Sequence, residues 1–176
     1  MNKVIGFKCF EKGIINRYGQ KMELDKMYEI KGEPKFMKQG FHMCENIEDT
    51  LRYFDGMNNE VDICKVTGYP NIYKYDDDYN EYYNMYSCQK IVINELLTRQ
   101  EIIKQIENIK ELKINRFIYG YKLNNDEIKY LIEKYKNKPE ILCHIIYMYY
   151  DKDIYNNTYN EKVKKINNII EALIWK

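Results

Sequence analysis

His42 and Cys44 lie two residues apart in the segment GFHMCENIEDTLRYF, Gly40 to Phe54, where the pattern reads as a strand turning into a helix. On a strand that spacing puts both side chains on one face. An imidazole beside a thiol can take its proton and create a nucleophile, and the same groups are metal ligands. A closed metal site needs two more ligands, and the only other histidine is His144. No metal is therefore expected, and packing of both side chains around the turn is the preferred reading. Glu60 and Asp62 flank Val61 and share a strand face, which suits acid and base work by paired carboxylates. Alternating acids on a half-exposed sheet more often meet water, and that is the expectation here. Arg17 and Tyr18 stand beside Gly19 in a polar loop, where a guanidinium can take a carboxylate or phosphate, or pair with a nearby acid of the fold.

The densest unusual patch is Tyr75, Asp76, Asp77, Asp78, Tyr79, Glu81 and Tyr82, with Tyr73, Tyr83 and Tyr86 around it. A calcium loop needs spaced oxygen ligands and a glycine at its sharp turn, which consecutive aspartates do not supply. A protein-binding surface fits better, because tyrosine offers large, stiff contact area and the acids suit a basic groove that normally holds nucleic acid. The alternative is a solvated loop whose tyrosines pack inward.

The elements that position these groups follow from periodicity. Val4 to Phe10 alternates with β-branched and aromatic residues, as a first strand does, and Glu11 to Gly13 breaks it. A second strand is expected around Met27 to Ile30, and a third enters at Gly40 to Met43. Asn46 is placed as an N-cap, with Glu48 and Asp49 favouring the positive end of a helix from Ile47 to about Asp55. Glu60 to Thr67 alternates, Gly68 and Pro70 interrupt it, and a strand resumes with KIVINELLT, leaving the acidic tyrosine segment as an ordered loop. Thr98 with Glu101 three residues on opens a helix. Beyond Leu112 the apolar spacing is helical, Pro139 starts a new helix in its first turn, and Glu161 to Trp175 is the last. A weak repeat aligns Arg116, Ile118, Tyr119 and Tyr121 with His144, Ile146, Tyr147 and Tyr149. Helix pairs of this kind stack on neighbours or on a preceding domain. The expected fold class is α+β: a mixed or antiparallel sheet with one short helix in residues 1–97, then an α-helical extension over residues 98–176.

Composition excludes some classes. Of 176 residues 45% are hydrophobic, enough for a substantial core, while 28 basic against 27 acidic residues leave a formal net charge of +1. No broad field attracts a phosphate backbone, so direct nucleic-acid binding is not expected. Two basic helices, with Lys129, Lys134, Lys136 and Lys138 on one and Lys162, Lys164 and Lys165 on the other, read as solvated faces. Five separated cysteines without a CxxC pair suit reduced thiols, no apolar run approaches the roughly 18–20 residues that span a bilayer, and the start of the chain lacks a secretory apolar region. A cytoplasmic location without membrane contact is expected.

Gly6 to Lys8 (GFK), Asn16 to Gln20 (NRYGQ), Gly40 to Phe54 and Glu60 to Gly68 (EVDICKVTG) together resemble a domain of unknown function carried by phage and prophage proteins, often followed by pentapeptide or helical repeats. The resemblance covers roughly residues 3–103. It implies a mobile-element accessory protein that works by binding a host protein or ribonucleoprotein, as an inhibitor of a defence complex such as a CRISPR effector would. The acidic tyrosine patch is then the expected contact, and no cofactor is needed. A second likeness is to small ADP-ribosyltransferases, in the order from Phe41 through Thr67 to Ile93. This alternative implies NAD as cofactor and a cleft near Tyr18, His42 and Tyr53. The histidine such enzymes carry on the first strand is replaced here by Gly6, Phe7 and Lys8, and no acid stands out as the catalytic carboxylate.

Overall fold

A computed structural model describes residues 3–35, 38–53, 60–75 and 84–174, apart from the side chains of Tyr53, Asn108, Leu112, Tyr155, Leu173 and Ile174. The chain is an α+β protein. Its strands are β1 (Val4–Glu11), β2 (Met27–Glu29), β3 (Phe41–Cys44), β4 (Val61–Tyr75) and β5 (Met85–Leu96). All their pairings are antiparallel, in the order β2-β5-β3-β1-β4, and β4 also pairs with β5. The strands β1, β3, β5 and β4 therefore close into a ring, with β2 on its outside edge.

Alternation along β1 sorts its side chains to two cores. Cys9 and its cross-strand partner Ile63 face the helices, while Phe10 points to the other side with Met43, Cys64, Val66, Cys88 and Ile93. Met43 fills the middle of the ring, and two glycines admit it. A Cβ on Gly68 would stand 3.0 Å from both Met43 Sδ and Cys88 Sγ, and one on Gly6 would meet Met43 Cε at 2.8 Å. Gly68 and Pro70 do not end the strand as the sequence suggests. Gly68 pairs with Val4 and Ile91, and the ladder skips from Tyr69 to Ile72, a bulge that excuses the missing N–H of Pro70. The strands consequently reach further into the tyrosine-rich stretch than a loop reading allows: Asn71 to Tyr75 belongs to β4 and Met85 to Cys88 to β5.

The first helix, α1 (Ile47–Thr50), is short and runs into a 3-10 turn at Leu51–Tyr53; the expected continuation to Asp55 lies outside the described residues. Asn46 has extended cap geometry but makes no side-chain cap bond, its amide instead donating to Asp49 Oδ2 at 3.2 Å. Glu48 and Asp49 stand in the first turn of α1 as the sequence suggests, and both are buried. They are 3% and 2% exposed, and Asp49 receives Lys113 Nζ at 3.0 Å and the Arg116 guanidinium. Those partners belong to the helical layer, α2 (Arg99–Gln105), α3 (Ile114–Gly120), α4 (Asn125–Lys134), α5 (Pro139–Tyr149) and α6 (Tyr159–Ile174).

The helices share one apolar core with the sheet, from Cys9, Ile63, Ile47 and Leu51 to Phe117, Ile132 and Ile146. Thr98 and Glu101 close the capping box that opens α2, and Asn124 with Glu127 does the same for α4. Within this layer α3 packs on α5, with Tyr119 Oη 2.7 Å from His144 Nδ1 and Tyr149 Oη donating to the Tyr121 carbonyl. Among the described residues no helix is long and apolar enough to cross a membrane.

Candidate functional site

The ring has one loose seam. Phe7 and Cys44 form the single ladder pair between β1 and β3, and the strands part beyond it. The next residue of β1, Lys8, bridges the gap with its side chain, donating from Nζ to the His42 carbonyl at 2.8 Å. A cleft of about 480 Å³ opens at this seam, a size within the range of small-molecule pockets. Phe7 to Phe10 and Gly40 to Cys44 form its two sides, and Arg17, Tyr18, Met22 and Tyr28 line it from the intervening chain.

The loop bearing Arg17 and Tyr18 is built by two polar side chains. Asn16 Oδ1 accepts from the amides of Tyr18 and Gln20, at 2.9 and 3.0 Å, and Gly19 supplies the positive φ of the turn. Upstream, Ile14 holds a φ of 56°, a conformation that a β-branched residue seldom adopts. Asp62 holds it there, its Oδ2 accepting from Gly13 N at 2.7 Å and Ile14 N at 3.0 Å. This corrects the expectation of a solvated acid for Asp62, which is 5% exposed and clamps the start of the loop, whereas Glu60 is exposed as expected. Lys12 lies 3.2 Å from Asp62, which therefore serves structure.

With Asn16 holding the turn closed, Tyr18 is 80% exposed and the Arg17 guanidinium sits 5.2 Å from its ring centroid. Cationic side chains outnumber carboxylates in the cleft, with Lys8, Arg17 and Lys38 against Glu29. Burial holds the Lys8 ammonium below the ordinary lysine range, and Arg17 pushes it the same way, while neighbouring thiols oppose the shift. His42 is lowered by burial first, then by Lys8 and Arg17. Glu29 is the one carboxylate lining the cleft among the described residues, and it lies 3.3 Å from Lys90. No salt bridge among the described residues involves Lys8 or Arg17.

Cys44 is not an activated nucleophile. Burial pushes its thiol up to about 12, and Asp49 adds to the rise. Among the described residues no group of three His, Cys, Asp or Glu side chains could hold a metal ion. Of the trio Tyr18, His42 and Tyr53, the structure brings Tyr18 and His42 to the cleft, while Tyr53 closes the 3-10 turn after α1 and its side chain lies outside the described residues. In the acidic tyrosine patch Tyr75 ends β4, and Asp76, Asp77, Asp78, Tyr79, Glu81 and Tyr82 all lie outside the described residues. Lys8 was the residue missed as a participant. Its signal was a lone charge inside the apolar run VIGFKCF.

Fold and cleft define an α+β domain with a cationic pocket at an opened strand seam and a helical layer behind it. The chain belongs to the family described as Domain of unknown function (DUF7666), whose family model matches residues 4–105, more than half of the chain. No curated protein and no solved structure matches it.

Proposed function

We propose that the cleft binds a small anionic ligand carrying a flat ring, as a nucleotide does, and that this protein acts as a ligand-binding module. One observation carries the reading: Lys8, Arg17 and His42 converge on one opening while no carboxylate among the described residues pairs with Lys8 or Arg17. An incoming phosphate or carboxylate would give the Arg17 guanidinium an anionic partner, and Tyr18, Tyr28 and Phe41 offer faces for a ring. The nicotinamide dinucleotide implied by the transferase likeness is the first ligand to test. Transfer chemistry would need a carboxylate at the ribose, and the pairing of Glu29 with Lys90 favours binding over turnover. Calorimetric titration with NAD, ADP and inorganic phosphate tests the reading. Saturable binding, weakened about tenfold or more by Arg17→Gln, is expected, since a charge-assisted hydrogen bond contributes about 1.5–3 kcal/mol. Absence of saturable binding into the millimolar range defeats it.

A second reading has its own support. The β4–β5 hairpin is an arm of the ring itself: its pairing runs to Tyr75 and Met85, Tyr73 on it is half exposed, and residues 76–83 lie between its two strands in sequence. We propose that the arm presents the acidic tyrosine patch to a host protein or ribonucleoprotein in the cytoplasm. The protein would then be a phage or prophage accessory factor of the anti-CRISPR kind. Affinity capture from prophage-bearing cells should recover one defined partner, lost on combined replacement of Asp76, Asp77, Asp78 and Tyr79. Unchanged recovery with that variant removes the arm from consideration.

A further inference from the structure

Lys8 is a half-buried lysine of the cleft without an anionic partner among the described residues. Nζ donates to the His42 carbonyl at 2.8 Å, and no salt bridge among those residues gives it a carboxylate. Such a lysine lacks the opposite charge that would favour its protonated form. The titratable and charged groups facing it are Cys9 on its own strand, Cys44 and His42 on β3, Cys88 on β5, and Arg17 on the loop. Burial pushes the Cys44 and Cys88 thiols up to about 12 and that of Cys9 higher still. At neutral pH none of these neighbours is an anion able to hold a proton on Lys8. The amine nevertheless lines the cleft and so stays within reach of a ligand.

We propose that Lys8 forms an imine with an aldehyde or ketone that carries an anionic group, Arg17 holding that group at the mouth of the cleft. The Nζ lone pair attacks the carbonyl carbon, and one of the two nitrogen protons passes to the carbonyl oxygen to give a carbinolamine. The second nitrogen proton joins the hydroxyl, which leaves as water, and a carbon–nitrogen double bond remains. One amine and one carbonyl become one imine and one water, with no change of oxidation state. A desolvated lysine in an apolar setting is the usual form of such a nucleophile. The inference rests on the anionic-ligand reading of the cleft and names the reactive class within it.

The test treats the intact protein at pH 7 with pyridoxal 5′-phosphate, a phosphorylated aldehyde, then borohydride, and maps the reduced adducts by peptide mass spectrometry. Parallel arms use pyridoxal without the phosphate, competing inorganic phosphate, and the variants Arg17→Gln and Lys8→Arg. Expected is one dominant adduct, on Lys8, at least several-fold above any other lysine, since Arg17 lines the same cleft to hold the phosphate and burial favours the neutral amine there. Removing the phosphate from the probe, or Arg17→Gln, should cut it several-fold. If Lys8→Arg fails to fold, wild-type protein in urea replaces it, and the preference for Lys8 should vanish there. Phosphate-competed binding without a Lys8 adduct overturns the imine and leaves the ligand reading standing. Adducts spread evenly over the lysines overturn the imine as well. A selective Lys8 adduct indifferent to the phosphate overturns the role of Arg17 and the anionic reading with it.

Discussion

Two adjacent acids of α1 should respond to substitution in opposite ways. Asp49 is 2% exposed and holds Lys113, itself 5% exposed, at 3.0 Å, together with Arg116. Asp49→Ala leaves the Lys113 ammonium buried with only Glu48, at 4.0 Å. Removing one partner of a buried pair costs about 3–5 kcal/mol, a large share of the roughly 5–15 kcal/mol that stabilises a domain. For a chain of this size each kcal/mol shifts the midpoint by about 2–4 °C, so a fall of roughly 6–20 °C is expected. Glu48 differs, because burial raises its pKa above the ordinary 4.5. A carboxyl with a raised folded pKa contributes stability that is complete below its unfolded pKa and is lost as pH rises through the folded value. At pH 7 Glu48→Gln should therefore match or exceed the wild type, with the two converging as pH falls toward 4.5. Thermal melts followed by circular dichroism between pH 4 and 8 measure both. A drop for Glu48→Gln at pH 7 comparable to that of Asp49→Ala would refute the assignment of Asp49 as the principal partner of Lys113.

Other outcomes follow from single contacts. Gly120→Ala places a Cβ 2.7 Å from Leu51 Cβ, and overpacking of this kind should lower stability by about 1–3 kcal/mol in urea unfolding. Thr98→Ala removes the capping box of α2 and should cost about 0.5–2 kcal/mol by the same assay. All five cysteines are buried, and Cys44, Cys64 and Cys88 are pushed up to about 12, so iodoacetamide at pH 7 should spare the native protein and alkylate all five in guanidinium. Asp62→Ala should release the strained turn at Ile14, weakening ligand binding at the seam even where the melt shows the protein still folded.

Short-range order was legible in the sequence. Alternation found all five strands, and Thr98 with Glu101, Pro139 and the spacing after Leu112 found the helices, because each rests on neighbours within a turn or two. Readings that failed depend on partners far along the chain. Gly68 looked like a break because its reason for being glycine, Met43, is distant in sequence. Asp62 looked like a surface acid because the Gly13 and Ile14 amides meet it only after folding, and Asp49 reads only as a helix-start acid because Lys113 is as distant in the chain. The cleft was half visible: Tyr18 and His42 were named for it, but its opening depends on β1 and β3 parting after one pair, which no local pattern encodes.

β5 is paired along one side with β4 and on the other with β3 at Phe41–Cys44 and with β2 at Met27–Glu29. It is the junction through which the ring is assembled. The β4–β5 hairpin joins neighbours in the chain, whereas β1 must find β4 across the whole intervening sequence, from Val4 to Gly68. Loop-closure entropy makes such distant pairing slow, so the hairpin is the natural nucleus and β1 the late arrival. The seam at β1 and β3 is then the last part of the ring to close during folding. It is also where a ligand would slow the escape of β1, lengthening the lifetime of the native state more than it hastens its formation.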